Sequence, residues 1–292
     1  DGIVPLFLDH DVGGPIAKTV RDAAIVLTVI AGHDPADPVT AAADAHRHGD
    51  YTRYLDADAL AGARIGVLRQ LANRHGADDQ VLARFGEALG DMRRLGATVV
   101  DDLRLDELDG LVPPVEGDGL AVWCARFRTD LEAYLGTLGD APMKSLQDIV
   151  DSGAYHPSIE AALIDFVDDP DPDDNPDCAA AEAGREKLTQ SVLALLSQHR
   201  LDALVYPTWS NPPRLIGDMN TPHGDNSQHV SPHTGFPAIT VPMGYVYDGL
   251  PTGLQFVGDA WSEPALIGFA YAYEQATRHR RPPASTPALI AN

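Results

Sequence analysis

Lysine, cysteine and long apolar runs are scarce in this 292-residue chain, and each scarcity excludes a class of protein. Only Lys18, Lys144 and Lys187 are lysines and the net charge is -22, so neither nucleic acid nor a membrane surface is expected as a partner. No apolar run approaches the ~20 residues that span a bilayer. The two cysteines, Cys124 and Cys178, lie far apart in no metal-ligand spacing, which predicts reduced thiols and a cytoplasmic setting.

The remaining composition is that of a globular protein with a sizeable core. Hydrophobic residues make up 44% of the chain. The acidic excess has two open explanations, a coding bias or adaptation to high salt, where a dense negative surface is screened. We expect residues 1–292 to form a single α/β domain.

Three consecutive patterns predict a strand, a helix and a parallel strand. Residues 63–68 and 97–100 are short apolar runs, and residues 79–95 between them carry apolar side chains at helical spacing. This order is typical of a βαβ unit with a right-handed crossover. Residues 103–200 then read as a mostly helical section. Its candidate helices cover residues 120–138, 145–150, 158–166 and 179–199.

Further elements are predicted on either side of this region. Thr19 and Asp22 have the spacing of a capping box before an apolar run, which predicts a helix. Residues 203–206 are another strand candidate, and residues 263–277 carry a helical apolar face. Residues 208–231 form a long loop rich in Asn, Pro and Gly. A loop of this length inside a compact domain is typical of a functional segment.

The most informative stretch reads SPHTGFPAITVPMG over residues 231–244 and continues as GLPTGLQFVG over residues 249–258. Its apolar runs at residues 237–241 and 253–257 predict two buried strands joined by a turn.

The order of the residues in this stretch resembles the C-terminal hallmark of the amidase signature family, hydrolases of carboxamide bonds. Residues 2–38 are similar to the family segment that follows the nucleophile, and residues 261–282 resemble its peptide-amidase-like branch. The resemblance covers roughly residues 1–38 and 200–282 and is weakest in the helical section. It implies an α/β/α sandwich around a mixed sheet, here incomplete.

The resemblance further implies hydrolysis of linear carboxamides by a serine nucleophile, a second serine and a lysine, with a Gly/Ser-rich loop as the oxyanion hole. The chain contains no such loop, no Gly-x-Ser-x-Gly elbow and no adjacent serine pair. A triad assembled around Ser231 and His233 would lack both the elbow and the oxyanion loop. We therefore expect no catalytic residue in this chain. The catalytic segment should lie upstream of residue 1, so that residues 1–292 are the C-terminal portion of an amidase domain, inactive alone.

One wall of the substrate pocket can still be predicted. In the family, the loop before the hallmark strand lies against the substrate, opposite the nucleophile. Residues at the carboxyl end of a strand are further candidates, because ligands of α/β sheets gather there. The substrate-binding candidates are Ser231, His233, Thr234 and Phe236 from the loop, and Thr208 and Trp209 from the strand end.

No metal and no other cofactor is expected. His223, Asp225, His229 and His233 lie close together in the sequence, but their spacing matches no standard zinc or iron motif. The acidic run at residues 168–177 lacks the central glycine and the final glutamate of a calcium loop. We expect it to be a solvated linker.

Two other functions remain open. The chain could belong to a glutaminase-like amidotransferase subunit, or to a non-catalytic binding or assembly protein derived from an amidase. The expected partners are a small-molecule amide and the upstream segment of the same protein, and a homo-oligomer is a further candidate. Without that segment, residues 3–8 and 239–241 should leave an apolar surface and a strand edge uncovered.

Overall fold

The computed structural model describes residues 2–111, 124–218, 220–283 and 285. The strands in these ranges are β1 (Arg64–Leu68), β2 (Thr98–Leu103), β3 (Ala203–Pro207), β4 (Ala238–Val246) and β5 (Leu250–Val257). They form one mixed sheet with the order β2-β1-β3-β5-β4. β1, β2 and β3 are parallel, whereas β5 runs antiparallel to both β3 and β4.

The α-helices of the described residues cover both faces of this sheet and form a separate middle section. They are α1 (Val20–Ile30), α2 (Ala43–His46), α3 (Arg69–Ala72), α4 (Asp79–Arg94), α5 (Asp106–Leu111), α6 (Phe127–Thr137), α7 (Leu146–Ser152), α8 (Glu160–Val167), α9 (Pro176–His199), α10 (Ser231–Thr234) and α11 (Glu263–Thr277). The predicted cap of α1 is present, because the Thr19 hydroxyl accepts a hydrogen bond from the backbone N–H of Asp22 at 3.0 Å.

The predicted βαβ unit is confirmed. β1 pairs in parallel with β2, and α4 forms the connection between them. Asp78 caps α4 by accepting hydrogen bonds from two backbone N–H groups of its first turn. The helix buries an apolar face formed by Val81, Phe85, Ala88, Leu89 and Met92. Local pattern and capping therefore place this unit correctly in the sequence.

The predicted hairpin is also confirmed, although β4 is longer than expected. Its turn places Tyr247 and Asp248 in the left-handed region, with φ of 48° and 62°. Pro242 was expected to end the first strand, yet β4 continues to Val246. Proline is tolerated there because β4 lies at the edge of the described sheet and needs to pair on one side only.

Alternating side chains divide the core between the two faces of the sheet. Ile65 and Val205 pack with α1, α4 and α11 on one face, whereas Leu204 and Tyr206 pack with α5 and α9 on the other. This arrangement confirms the expected α/β/α sandwich around a mixed sheet. It also directs the carboxyl end of β3 toward the loop 208–230.

The middle section is helical, as predicted, and forms a small core of its own. Leu131, Leu146 and Leu163 bring α6, α7 and α8 together. A capping box between Ser145 and Asp148 starts α7. The predicted helix at 120–138 is observed from Phe127 to Thr137, and its first part falls outside the described residues. The acidic run at 168–177 contains one short 3-10 turn, Pro172–Asp174, before Pro176 starts α9.

The prediction of reduced thiols is wrong, because Cys124 and Cys178 form a disulfide. The two residues are 54 positions apart in sequence, but their Cα atoms lie 4.5 Å apart. The bond joins the residues before α6 to the first turn of α9. Cysteine spacing alone could not reveal this proximity, which depends on how the helical section folds back onto α9.

Large apolar side chains are exposed near the start of the chain. Ile3, Val4, Leu6 and Leu8 each expose more than half of their surface, and several apolar residues of α1 are also exposed. The observed exposure matches the expectation of an uncovered apolar surface beside an edge strand. Within the described residues, we find no helix that combines the length and the apolar character needed to cross a bilayer.

Candidate functional site

The candidate site lies where β3 ends and the loop 208–230 begins. The two ends of this loop pair with each other through short backbone hydrogen bonds. The N–H of Ser210 donates to the carbonyl of Gly224 at 2.7 Å, and the N–H of Asn226 donates to the carbonyl of Thr208 at 2.9 Å. Gly224 has a φ of 64° and lies too close to Asn211 to carry a Cβ. The loop therefore has a closed base.

The side chain of Asn226 holds this base against the sheet. It is fully buried, and its amide nitrogen donates to the carbonyls of Leu71 and Pro207 at 3.0 and 2.8 Å and to the hydroxyl of Ser210 at 2.9 Å. Ser210 is also fully buried and donates to the Leu71 carbonyl at 2.8 Å. Buried polar groups are stable only when they are paired in this way.

Arg74, just after α3, completes the polar contacts of the loop. Its guanidinium donates to the Asp225 carbonyl at 3.2 Å and to Oδ1 of Asn226 at 3.1 Å, and lies 3.3 Å from Nε2 of His229. Burial, followed by the charge of Arg74, lowers the pKa of His229 to about 4. Since a guanidinium only donates, Nε2 of the neutral imidazole is the acceptor and the proton resides on Nδ1.

The turn that carries the predicted residues Ser231 and Thr234 is short and internally bonded. The Ser231 hydroxyl donates to the Phe236 carbonyl at 2.6 Å, and the Thr234 hydroxyl donates to the Val230 carbonyl at 2.9 Å. Both side chains are half-buried. Because the Ser231 hydroxyl is bonded to a backbone carbonyl, it is not paired with a histidine as a serine nucleophile would be.

His233 and Phe236, also predicted to line the pocket, are buried. Phe236 exposes 6% of its surface and packs in the core with Tyr206 and Val257. His233 exposes 2%, and its ring lies edge-on to that of His10 at 4.8 Å between centroids. Burial lowers the pKa of His233 to about 3 and that of His10 to about 4, so both rings are neutral near pH 7.

Thr208 and Trp209 lie at the carboxyl end of β3, as predicted. The Thr208 hydroxyl is 3.1 Å from the hydroxyl of Thr240 on β4. Trp209 exposes 41% of its surface, and its ring is tilted against that of His223 at 5.5 Å. These residues therefore share one end of the sheet with the base of the loop.

A charged cluster next to His10 was not anticipated from the sequence. Arg126 forms a two-point ion pair with Asp130 at 2.6 and 2.9 Å and a third contact with Asp9 at 2.7 Å. Arg185 donates to the backbone carbonyl of Asp9 at 3.3 Å. Together with the disulfide, these side chains line a cavity of about 90 Å³. Only the i, i+4 spacing of Arg126 and Asp130 was visible in the sequence, since the other partners are distant along the chain.

The candidate metal ligands of the loop have other contacts. His229 faces Arg74, His223 packs on Trp209, and the carboxylate of Asp225 accepts from both the backbone N–H and the hydroxyl of Ser227. Across the described ranges, no group of three His, Cys, Asp or Glu side chains is placed to hold a metal ion. The arrangement instead offers hydroxyls, an aromatic ring and neutral imidazoles.

Comparisons with known proteins agree with this architecture. The amidase family model matches residues 1–267. The solved peptide amidase of Stenotrophomonas maltophilia is 35% identical, with a TM-score of 0.78 over 97% of this chain and 57% of that chain. An amidase family protein from Bacillus anthracis is 26% identical, with a TM-score of 0.74 over 97% of this chain and 52% of that chain.

A third relative belongs to the glutamyl-tRNA(Gln) amidotransferase of Acinetobacter baylyi, one of whose subunits is 28% identical over 94% of this chain and 56% of that protein. The chain spans about half the length of the curated relatives it matches, 48% of the first and 51% of the second. Since the family model matches residues 1–267 and solved peptide amidases share the α/β/α fold, the chain belongs to the amidase signature family.

Proposed function

We propose that this chain is the C-terminal portion of an amidohydrolase that hydrolyses linear carboxamide bonds. The observation that carries this proposal is its likeness to the peptide amidase, 35% identical over 97% of this chain. In this proposal the serine nucleophile, the second serine and the lysine are supplied by residues upstream of this chain. The hydrogen bond from Ser231 to a backbone carbonyl supports that assignment, because it leaves this serine without a general base.

We propose that the residues around the base of the loop form one wall of the substrate pocket. Thr208, Trp209, Ser231 and Thr234 retain exposed surface and could contact an amide directly. His233 and Phe236 are buried, so in this proposal they support the wall from behind. Such a wall would orient the substrate, whereas the upstream segment would carry out the chemistry.

The amidotransferase relative supports a second candidate function. At 28% identity over 94% of this chain, a glutaminase-like protein that supplies ammonia to a partner is the alternative. The two candidates differ in their amide donor, which would be free glutamine for the amidotransferase and a peptide or simple carboxamide for the amidase. A non-catalytic protein would turn over neither.

Ammonia release distinguishes these functions. We expect the natural full-length protein to release ammonia from linear carboxamides such as C-terminally amidated peptides, and residues 1–292 alone to release none. Preference for free glutamine would favour the amidotransferase, and no release from any amide would refute the amidase. Turnover by residues 1–292 that is lost in Ser231→Ala would refute the upstream placement of the nucleophile.

We further propose that the upstream segment of the same protein covers the exposed residues 3–8 and the free edge of β4. The edge position of β4 and the exposure of Ile3, Val4, Leu6 and Leu8 support this partner. A second copy of the chain would cover the same surface in a homo-oligomer. A cytoplasmic setting was inferred from reduced thiols, and the disulfide between Cys124 and Cys178 removes that support.

A further inference from the structure

The loop 208–230 is held at its base by one buried side-chain amide, that of Asn226. This amide contacts three separate segments: the end of α3 through the Leu71 carbonyl, the end of β3 through the Pro207 carbonyl, and the first part of the loop through Ser210. The side chain has no exposed surface. Its position therefore sets where the loop leaves the sheet and where it returns.

The orientation of this amide is fixed by Arg74. The guanidinium donates to Oδ1 of Asn226 at 3.1 Å, so this atom must be the acceptor and the nitrogen must face the carbonyls of Leu71 and Pro207. Arg74 also donates to the Asp225 carbonyl, which fixes the backbone one residue earlier. All polar atoms of the Asn226 side chain are thus used, and no rotated arrangement would satisfy them equally well.

The residues proposed to contact the substrate are attached directly to this base. Thr208 accepts the backbone hydrogen bond from Asn226, and Trp209 lies between Thr208 and the bonded Ser210. On the other side of the base, His229 donates its backbone N–H to the Asn226 carbonyl at 3.2 Å and leads into the turn Ser231–Thr234. A shift of Asn226 would therefore move both groups of residues together.

We propose that Asn226, held by Arg74, is the positioning residue of the substrate-binding wall. It keeps Thr208, Trp209 and the turn Ser231–Thr234 in one arrangement before the amide binds. This inference rests on the proposed amidase function. Losing the arrangement weakens binding, because a misplacement of about 1 Å in a binding group can reduce catalytic efficiency by up to about 100-fold.

Asn226→Asp is the sharpest test, because it keeps the size of the side chain and replaces the donor nitrogen with an oxygen facing two carbonyls. In the natural full-length protein we expect KM for a C-terminally amidated peptide to rise by roughly 10-fold or more, with kcat within about 3-fold. Backbone amides at the base of the loop should exchange hydrogen faster, while β3 and β5 stay protected. The matched control is Asn211→Asp in the same loop, where the side chain is partly exposed and donates only to the Gly76 carbonyl at 2.7 Å.

An unchanged KM in Asn226→Asp, an equal rise in the Asn211→Asp control, or unchanged exchange at the loop base would overturn the proposal. If Asn226→Asp loses protection throughout the sheet, Arg74→Lys replaces it. That variant keeps the positive charge but not the planar fork, and should raise KM in the same direction by a smaller factor. An inactive wild-type protein would refute the proposed function, and the exchange rates of the loop base would then decide the role of Asn226.

Discussion

Acidification should destabilise this protein well above the pH at which carboxylates are protonated. His229 and His233 expose only 6% and 2% of their surface, and burial is the main cause of their lowered pKa values. The unfolded chain binds a proton to each near the ordinary histidine pKa of 6.5, whereas the folded protein does so only near pH 4 for His229. Stability is therefore lost as the pH falls from about 6.5 to about 4, and no further loss arises from this group below that range.

The size of the effect can be worked out for His229. A folded pKa of about 4 against 6.5 in the unfolded chain corresponds to a full loss of roughly 3 kcal/mol. About 2 kcal/mol of this should be lost between about pH 7 and about pH 5. Carboxylates contribute little over that interval, because their unfolded pKa values lie near 4.

Urea unfolding at both pH values measures this loss. In His229→Gln the amide can still accept from Arg74 but does not titrate, so the stability difference between the two pH values should shrink by about 2 kcal/mol. The control is His75→Gln, an exposed histidine next to Arg74, which should retain the wild-type difference. Equal pH dependence in wild type and His229→Gln would refute the assignment of a buried neutral imidazole.

Three further predictions concern the fold. Gly66→Ala should destabilise by about 1–3 kcal/mol, because its Cβ would lie within 3 Å of three leucine side chains; Gly86→Ala on α4, with nothing within 4 Å, should be neutral or slightly stabilising, and urea unfolding of both variants checks this. Reducing the disulfide between Cys124 and Cys178 should cost roughly 4 kcal/mol, since it closes a long loop; an unchanged melting temperature in a thiol reductant would contradict this. Finally, β4 and β5 should be protected from hydrogen exchange in the full-length protein and less so in residues 1–292, whereas equal protection in a monomeric fragment would show that no upstream segment covers the edge.

Features with a local signal were predictable from the sequence. The bounds of α11 agree with the predicted 263–277, and α4 differs from the predicted 79–95 by one residue, because capping residues and apolar spacing specify such elements. The strands were located for the same reason. Pro242 misled the prediction of β4, since a proline ends an interior strand but not an edge strand, and the position of a strand in the sheet is not written in its own residues.

Contacts between distant segments were not predictable. The disulfide, the pair between Asp9 and Arg126, and the bonds of Asn226 each join residues that are far apart in the chain. For the site, the sequence indicated that residues 208–236 matter, but not which of them are buried. His233 and Phe236 were expected beside the substrate and lie inside, because aromatic side chains next to an apolar strand gain more from burial than from exposure.

The proposed wall is held mainly by buried hydrogen bonds, and this determines how it should respond to change. Removing one apolar contact from a core lets its neighbours relax, but removing the Asn226 amide leaves the carbonyls of Leu71 and Pro207 without that donor. Each carbonyl left unsatisfied would cost about 1–3 kcal/mol, so intermediate arrangements of the loop base are disfavoured. The base should therefore be either fully formed or open. A wall of this kind favours a substrate that fits it as it stands, and adaptation to different amides would then depend on the exposed part of the loop, where Leu215 and Ile216 extend into solvent.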